Sequence, residues 1–281
     1  MRRLPVAVLS LMMAGAALLT ACQGSASAAA RTANETAPAA SGMPAQPGTA
    51  TTTATASKRH RAALHAELAA GYLHAGQAGI ARDEAMRATG LDAGLASGWH
   101  VLALAELALG RAADAERSFA AALAAAPAPD GDLLNNHGWM LCQQGRYDEA
   151  MPQLRRALTL PSEDGAGHRL ATMGACQLRQ GDASAARASF GEALRLVPDH
   201  GPAAMGLARL YLHDGDLRAA ASVLDAVNKG QRASAASLWL AARIAHRQGD
   251  AAIQADLIGR LRERFPHARE LTAYEQGAWD E

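Results

Sequence analysis

The residues able to do chemistry in this 281-residue chain are few and scattered: three cysteines (Cys22, Cys142, Cys176) and ten histidines. A catalytic thiol or hydroxyl needs a base beside it, and a zinc site needs Cys and His at short regular spacing. The chain has no H-E-x-x-H, no clustered Cys/His set, no G-x-S-x-G, no phosphate-cradling glycine loop and no dinucleotide fingerprint. We therefore assign no catalytic residue, metal ligand, cofactor or small-molecule substrate, and expect a protein that is not an enzyme. The densest polar cluster is Asn135-Asn136-His137, read first as satisfied residues on a helix face. Lys plus Arg and Asp plus Glu balance at 27 each, so nothing attracts nucleic acid electrostatically.

The elements that must position these residues are set by six glycines: Gly76, Gly110, Gly145, Gly181, Gly215 and Gly249. Their intervals are 34, 35, 36, 34 and 34 residues. A constant period of this size is the mark of a repeat solenoid. Five residues after each glycine stand Ala81, Ala115, Ala150, Ala186, Ala220 and Gln254. Nine after stand Ala85, Phe119, Leu154, Phe190, Leu224 and Ile258, and twelve after stand Ala88, Ala122, Ala157, Ala193, Val227 and Leu261. Pro127, Pro161, Pro198 and Pro266 recur near the unit ends. The pattern resembles the tetratricopeptide repeat, a helix–turn–helix unit of about 34 residues. The expected fold is all-α: a right-handed α-solenoid of six repeats at 62–95, 96–129, 131–165, 167–200, 201–234 and 235–266. Each glycine should turn one helix into the next through positive φ, with Asp182, Asp216 and Asp250 capping the helices that follow. Aromatic residues make up only 4% of the chain, so Ala and Leu must build the core, and Trp99 should belong to it. Residues 267–281 should form a polar capping segment, as the end of a solenoid requires.

Cys142 and Cys176 fall at positions 12 and 10 of adjacent units, counting from 14 residues before each glycine. Those positions face differently around a helix, so small buried thiols are the favoured reading over a disulfide.

The N-terminus sets the compartment. Arg2 and Arg3 precede an apolar run, Leu4 to Leu19, that reads as an export signal. It closes on Leu19-Thr20-Ala21-Cys22, which resembles a lipobox. Residues 1–21 are expected to be removed as a lipoprotein signal peptide and Cys22 to be lipidated, palmitate included, tying the chain to a bilayer; ordinary secretion and a retained span are the alternatives. Gln23 rather than Asp follows the cysteine, which by resemblance implies the outer membrane, periplasmic face. Residues 22–58 are nearly all Ala, Ser, Thr, Gly and Pro and are expected to be a disordered linker. Treated as a flexible coil, a linker of about 35 residues reaches roughly 30–35 Å.

Stacked helical pairs curve, and the first helix of each unit lines the concave wall. Positions 2, 5, 9 and 12 should face it: Leu73 in unit one, His100, Leu104 and Leu107 in unit two, Asp132, Asn135 and Trp139 in unit three. His168, Ala171, Ala175 and Leu178 follow in unit four, and Pro202, Met205 and Arg209 in unit five. Unit six supplies Trp239, Arg243 and His246. An apolar wall of this kind suits an amphipathic helix or an extended peptide, with tryptophan as anchor.

The stretch from Asn135-Asn136-His137-Gly138 through Leu141-Cys142 to Tyr147-Asp148-Glu149-Ala150 is more specific than a generic repeat. It is similar to the N-N-x-G-x-x-L-C-x-x-x-x-Y-x-E-A segment of the PilF/PilW lipoproteins of type IV pilus biogenesis. Ala69-Ala70-Gly71-Tyr72-Leu73 and Arg260-Leu261-Arg262-Glu263-Arg264-Phe265-Pro266 agree as well. The resemblance implies a pilotin, which escorts the outer-membrane secretin and promotes its assembly into a ring. It implies a partner surface on the early units, for which Leu73, Leu104, Leu107, Asn135 and Trp139 are the candidates. A different periplasmic scaffold, serving outer-membrane protein assembly or cell-wall synthases, is the alternative.

Overall fold

All six marker glycines adopt positive φ, from 73° to 93°. Glycine holds this left-handed region without the Cβ clash that other residues meet there, which is why the period is written in glycine. The computed structural model describes residues 47–161 and 165–279, so the signal peptide, Cys22 and the first part of the linker lie outside it. Among the described residues there are thirteen helices and no strand. They pair as α1 (Pro47–His74) with α2 (Ala78–Leu91), α3 (Ala96–Ala108) with α4 (Ala112–Ala125), and α5 (Gly131–Gln143) with α6 (Tyr147–Thr159). Then come α7 (Ala166–Gln180) with α8 (Ala183–Leu196), α9 (Gly201–His213) with α10 (Leu217–Lys229), and α11 (Ala235–Gln248) with α12 (Ala251–Arg264). A short α13 (Arg269–Glu275) closes the series.

The second helix of each unit packs on the first helix of the next: α2 on α3, α4 on α5, α6 on α7, α8 on α9 and α10 on α11. First helices also touch one another, α1 with α3, α5 with α7, α7 with α9 and α9 with α11. Contacts thus run only to near neighbours, and no unit owns a core. The three aligned columns are that core. Ala81, Ala115, Ala150, Ala186 and Ala220 are fully buried, and so are Phe119, Leu224, Ala88, Ala122, Ala157, Ala193, Val227 and Leu261. The departure at Gln254 is half-buried. Position 8 of the first helices carries a small residue throughout: Ala69, Ala103, Gly138, Gly174, Ala208 and Ala242. The reason is close approach: a Cβ on Gly138 would lie 2.9 Å from the Leu154 side chain, and one on Gly174 would lie 2.9 Å from the Phe190 ring.

The caps follow the sequence. Asp182 accepts from Ala185 N at 2.9 Å, Asp216 from Ala219 N at 2.9 Å and Asp250 from Ile253 N at 3.0 Å. Each satisfies a backbone donor that the helix leaves unpaired. Arg169 of α7 is buried and does similar work at the other polarity. Its Nη1 donates to the carbonyls of Ala157 (2.9 Å) and Leu160 (3.2 Å) at the end of α6, and its Nη2 donates to Asp132 Oδ1 at 3.0 Å. Asp132, expected on the concave wall, is thereby committed to a bond between units.

Three expectations change. Residues 47–58, assigned to the linker, form the beginning of α1. Proline is tolerated in the first helical turn, Gly48 is the last glycine before Gly71, and the alanines extend the helix that unit one nucleates. Trp99 is only half-buried, its indole N–H donating to the Ala93 carbonyl at 2.8 Å. Cys142 and Cys176 are bonded as a disulfide, with Cα atoms 5.7 Å apart and both residues fully buried. The comparison of faces around a single helix missed this pairing. It did not allow for the offset between α5 and α7, which sets position 12 of one against position 10 of the next.

Candidate functional site

One concavity sits at the middle of the concave wall. Units three to five enclose an open concavity of about 190 Å³, lined by Asn135, Asn136 and Trp139 from α5 and by His168, Ala171, Thr172 and Ala175 from α7. His200 and Pro202, at the start of α9, complete it. The Cys142–Cys176 disulfide ties together α5 and α7, the two helices that supply most of the lining. Trp139 packs against the cluster that holds both cysteines, Phe119 and Leu154, and turns its remaining surface outward. The alanines of α7 leave the room that larger side chains would fill.

The polar groups have definite roles. Asn136 Nδ2 donates to His100 Nε2 at 3.1 Å, which requires that imidazole nitrogen to be unprotonated. Burial pushes His100 below its ordinary value near 6.5, although Asp130 and Asp132 pull the other way. His137 is lowered by burial too and faces Phe119 at 5.5 Å between ring centres. His200 is lowered by burial and by His168, whose ring centre lies 5.9 Å away, and its Nδ1 accepts from Ala203 N at 3.2 Å. Asn135 is 2% exposed, and its Oδ1 has no hydrogen-bond partner. A buried acceptor left alone costs about 1–3 kcal/mol, and this oxygen has no surface of its own open to the concavity.

A pH effect follows. Three imidazoles bind protons less readily in the folded chain than in the unfolded one. Stability should be complete above the ordinary histidine value near 6.5 and should fall as the pH drops below it, because the unfolded state takes up the protons first. The melting temperature at pH 5.5 should lie below that at pH 7.5, and His100→Gln with His137→Leu should flatten the slope. An unchanged slope in that double variant would contradict the assignment.

Of the five candidates, Asn135 and Trp139 line the concavity. Leu104 and Leu107 do not; they are partly buried and pack onto the core cluster of units two and three. Leu73 is half-buried on α1, away from this concavity. Cys22 lies outside the described residues. Thr172 and His200 were missed. Thr172 sits at position 6 of its unit, one turn beyond position 2, a spacing that helical geometry could have supplied. Among the described residues no three His, Cys, Asp or Glu side chains gather as a metal site, and no helix is long and apolar enough to cross a membrane.

The repeats and this geometry define the class, a solenoid of tetratricopeptide repeats. Tetratricopeptide-repeat models match residues 94–163 and 177–244. In fold the chain is of the PilF/PilW type. PilF of Pseudomonas aeruginosa superimposes with a TM-score of 0.64 at 23% identity, covering 79% of this chain and 99% of PilF. PilW, a widely conserved type IV pilus biogenesis factor, superimposes with a TM-score of 0.64 at 26% identity, covering 76% of this chain and 97% of PilW. The repeat itself is general: a chain of the APC/C hetero-tetramer Cut9–Hcn1 reaches 0.62 at 16% identity over 79% of this chain and 43% of the other. Cellulose synthase operon protein C of Pseudomonas fluorescens (strain SBW25) is 31% identical over 163 residues, 56% of this chain. The chain spans only 13% of that relative's length.

Proposed function

We propose that the chain is a non-catalytic pilotin of type IV pilus biogenesis. The middle concavity receives a segment of the outer-membrane secretin, and the protein promotes that secretin's localisation and multimerisation. Trp139 is the anchor. Acylated Cys22 holds the chain on the periplasmic face of the outer membrane. The observation that carries this reading is the match to PilW over nearly the whole of that protein at 26% identity, together with the concavity that Trp139 lines at the middle of the wall. An extended peptide in such a groove is read by main-chain hydrogen bonds and by pockets for its side chains. A second reading, a scaffold for another periplasmic machine, draws on the likeness to the cellulose synthase operon protein.

The test is capture from detergent-solubilised envelope followed by mass spectrometry. The unaltered chain should retain the secretin, and Trp139→Ala should lose most of it, since anchor truncations cost about 2–4 kcal/mol. Cys22→Ala should leave the chain soluble and the secretin in the inner membrane. Recovery of a different envelope machine with no secretin would favour the second reading.

A further inference from the structure

The concave wall does not stay open at its C-terminal end. Trp239, Arg243 and His246 stand at positions 5, 9 and 12 of unit six, the register that in unit three carries Asn135, Trp139 and Cys142. Here that register is covered by the chain itself. After α13 the backbone turns at Gly277, with φ +71°, and lays Trp279 on the wall. The Trp279 indole stacks on His246, with centroids 4.1 Å apart and planes 12° from parallel. It lies 5.1 Å from Trp239 and meets Tyr274 edge-on at 5.6 Å. Its carbonyl accepts from Arg243 Nε at 2.8 Å. Side chain and backbone are therefore both recognised, as a peptide residue in a groove is. α13 covers the end of the stack through Leu271, which clusters with Leu257, Ile258 and Leu261. Trp279 packs on the same cluster and in addition reaches Trp239 and Arg243, at the positions that in unit three carry Asn135 and Trp139.

We propose that the concave wall of unit six is a second peptide-binding site, selective for an aromatic residue, and that residues 269–279 occupy it as a tethered ligand. Beside the tail, α9, α11 and α13 leave a concavity of about 550 Å³ to which the wall contributes Arg209 and Arg243, while the tail contributes Arg269 and Glu270, themselves an ion pair at 3.6 Å. The guanidinium of Arg209 is exposed. Once the tail has left, a competing segment meets the two wall arginines, Arg209 and Arg243, so it carries an aromatic residue with a carboxylate beside it. The tail has this composition, Trp279-Asp280-Glu281. A tethered ligand acts at an effective concentration on the order of millimolar, so a free peptide gains the site only when the tail leaves. The site does not depend on which partner the middle concavity takes.

The test uses a fluorescein-labelled synthetic peptide of residues 269–281 and the full chain, read by anisotropy. Trp279→Ala should bind the peptide at least about tenfold more tightly than the unaltered chain, whose own tail competes. Adding His246→Ala should abolish that binding, and a peptide with alanine in place of tryptophan should not bind. Equal binding by Trp279→Ala and the unaltered chain would overturn the proposal. Amide exchange of Trp279→Ala provides the control. Faster exchange confined to residues 269–279 supports a detachable ligand, whereas loss of protection throughout α11 and α12 would make Trp279 a structural cap and overturn it.

Discussion

Cys142→Ala is expected to lower the unfolding free energy by about 3–4 kcal/mol, the loop-closure entropy released when a bridge across roughly 34 residues is removed. The bridge joins first helices of adjacent units. In a stack where each unit is supported only by its neighbours, that is the joint between halves of the solenoid. For a helical body of this size the loss corresponds to a fall in melting temperature of roughly 10 °C. Thermal unfolding followed by circular dichroism, with and without reductant, measures it. The unaltered chain should lose stability in reductant, and Cys142→Ala should be indifferent to it. Because α5 and α7 also form the walls of the middle concavity, reduction should weaken guest binding as well.

The second large effect centres on Phe190, which is 2% exposed and lies between two glycines. A Cβ on Gly174 would come within 2.9 Å of the ring and one on Gly206 within 2.5 Å. Helices α7 and α9 therefore close on α8 around a single phenyl group, which the cluster of Ala171, Ala186, Ala193 and Leu207 completes. Phe190→Ala should cost about 3–5 kcal/mol, the transfer term plus the cavity it leaves. Gly206→Ala should cost about 1–3 kcal/mol by overpacking. Residues in contact are not additive, so Phe190→Leu combined with Gly206→Ala should cost less than the sum of the two. Urea denaturation of the four proteins decides it. Simple additivity would show that the ring and the glycine do not meet.

Much of the fold was legible because the repeat writes the same constraint six times over. Gly76 alone is an ordinary glycine; six glycines at one period, each followed at fixed distances by small or large apolar residues, specify a turn and two helix faces. Asp182, Asp216 and Asp250 were legible as caps because capping is local. What failed was what depends on the relation between units. The Cys142–Cys176 bond arises from the offset of one first helix against the next. A helical wheel contains no such offset. Asn135 and Trp139 both fall beside the concavity because positions 5 and 9 stand about one turn apart on one side of the helix. His200 could not be found that way, since it precedes its helix and enters the concavity only as its cap.

The most direct test of the account is whether Trp139 carries the secretin's assembly. In cells expressing the secretin, heat-resistant secretin multimers should form with the unaltered chain. They should also form with Ile253→Asp, a change at an exposed residue outside the middle concavity. With Trp139→Ala they should be lost while the chain remains folded by circular dichroism. Multimers that form normally with Trp139→Ala, or without the chain at all, would contradict the central claim.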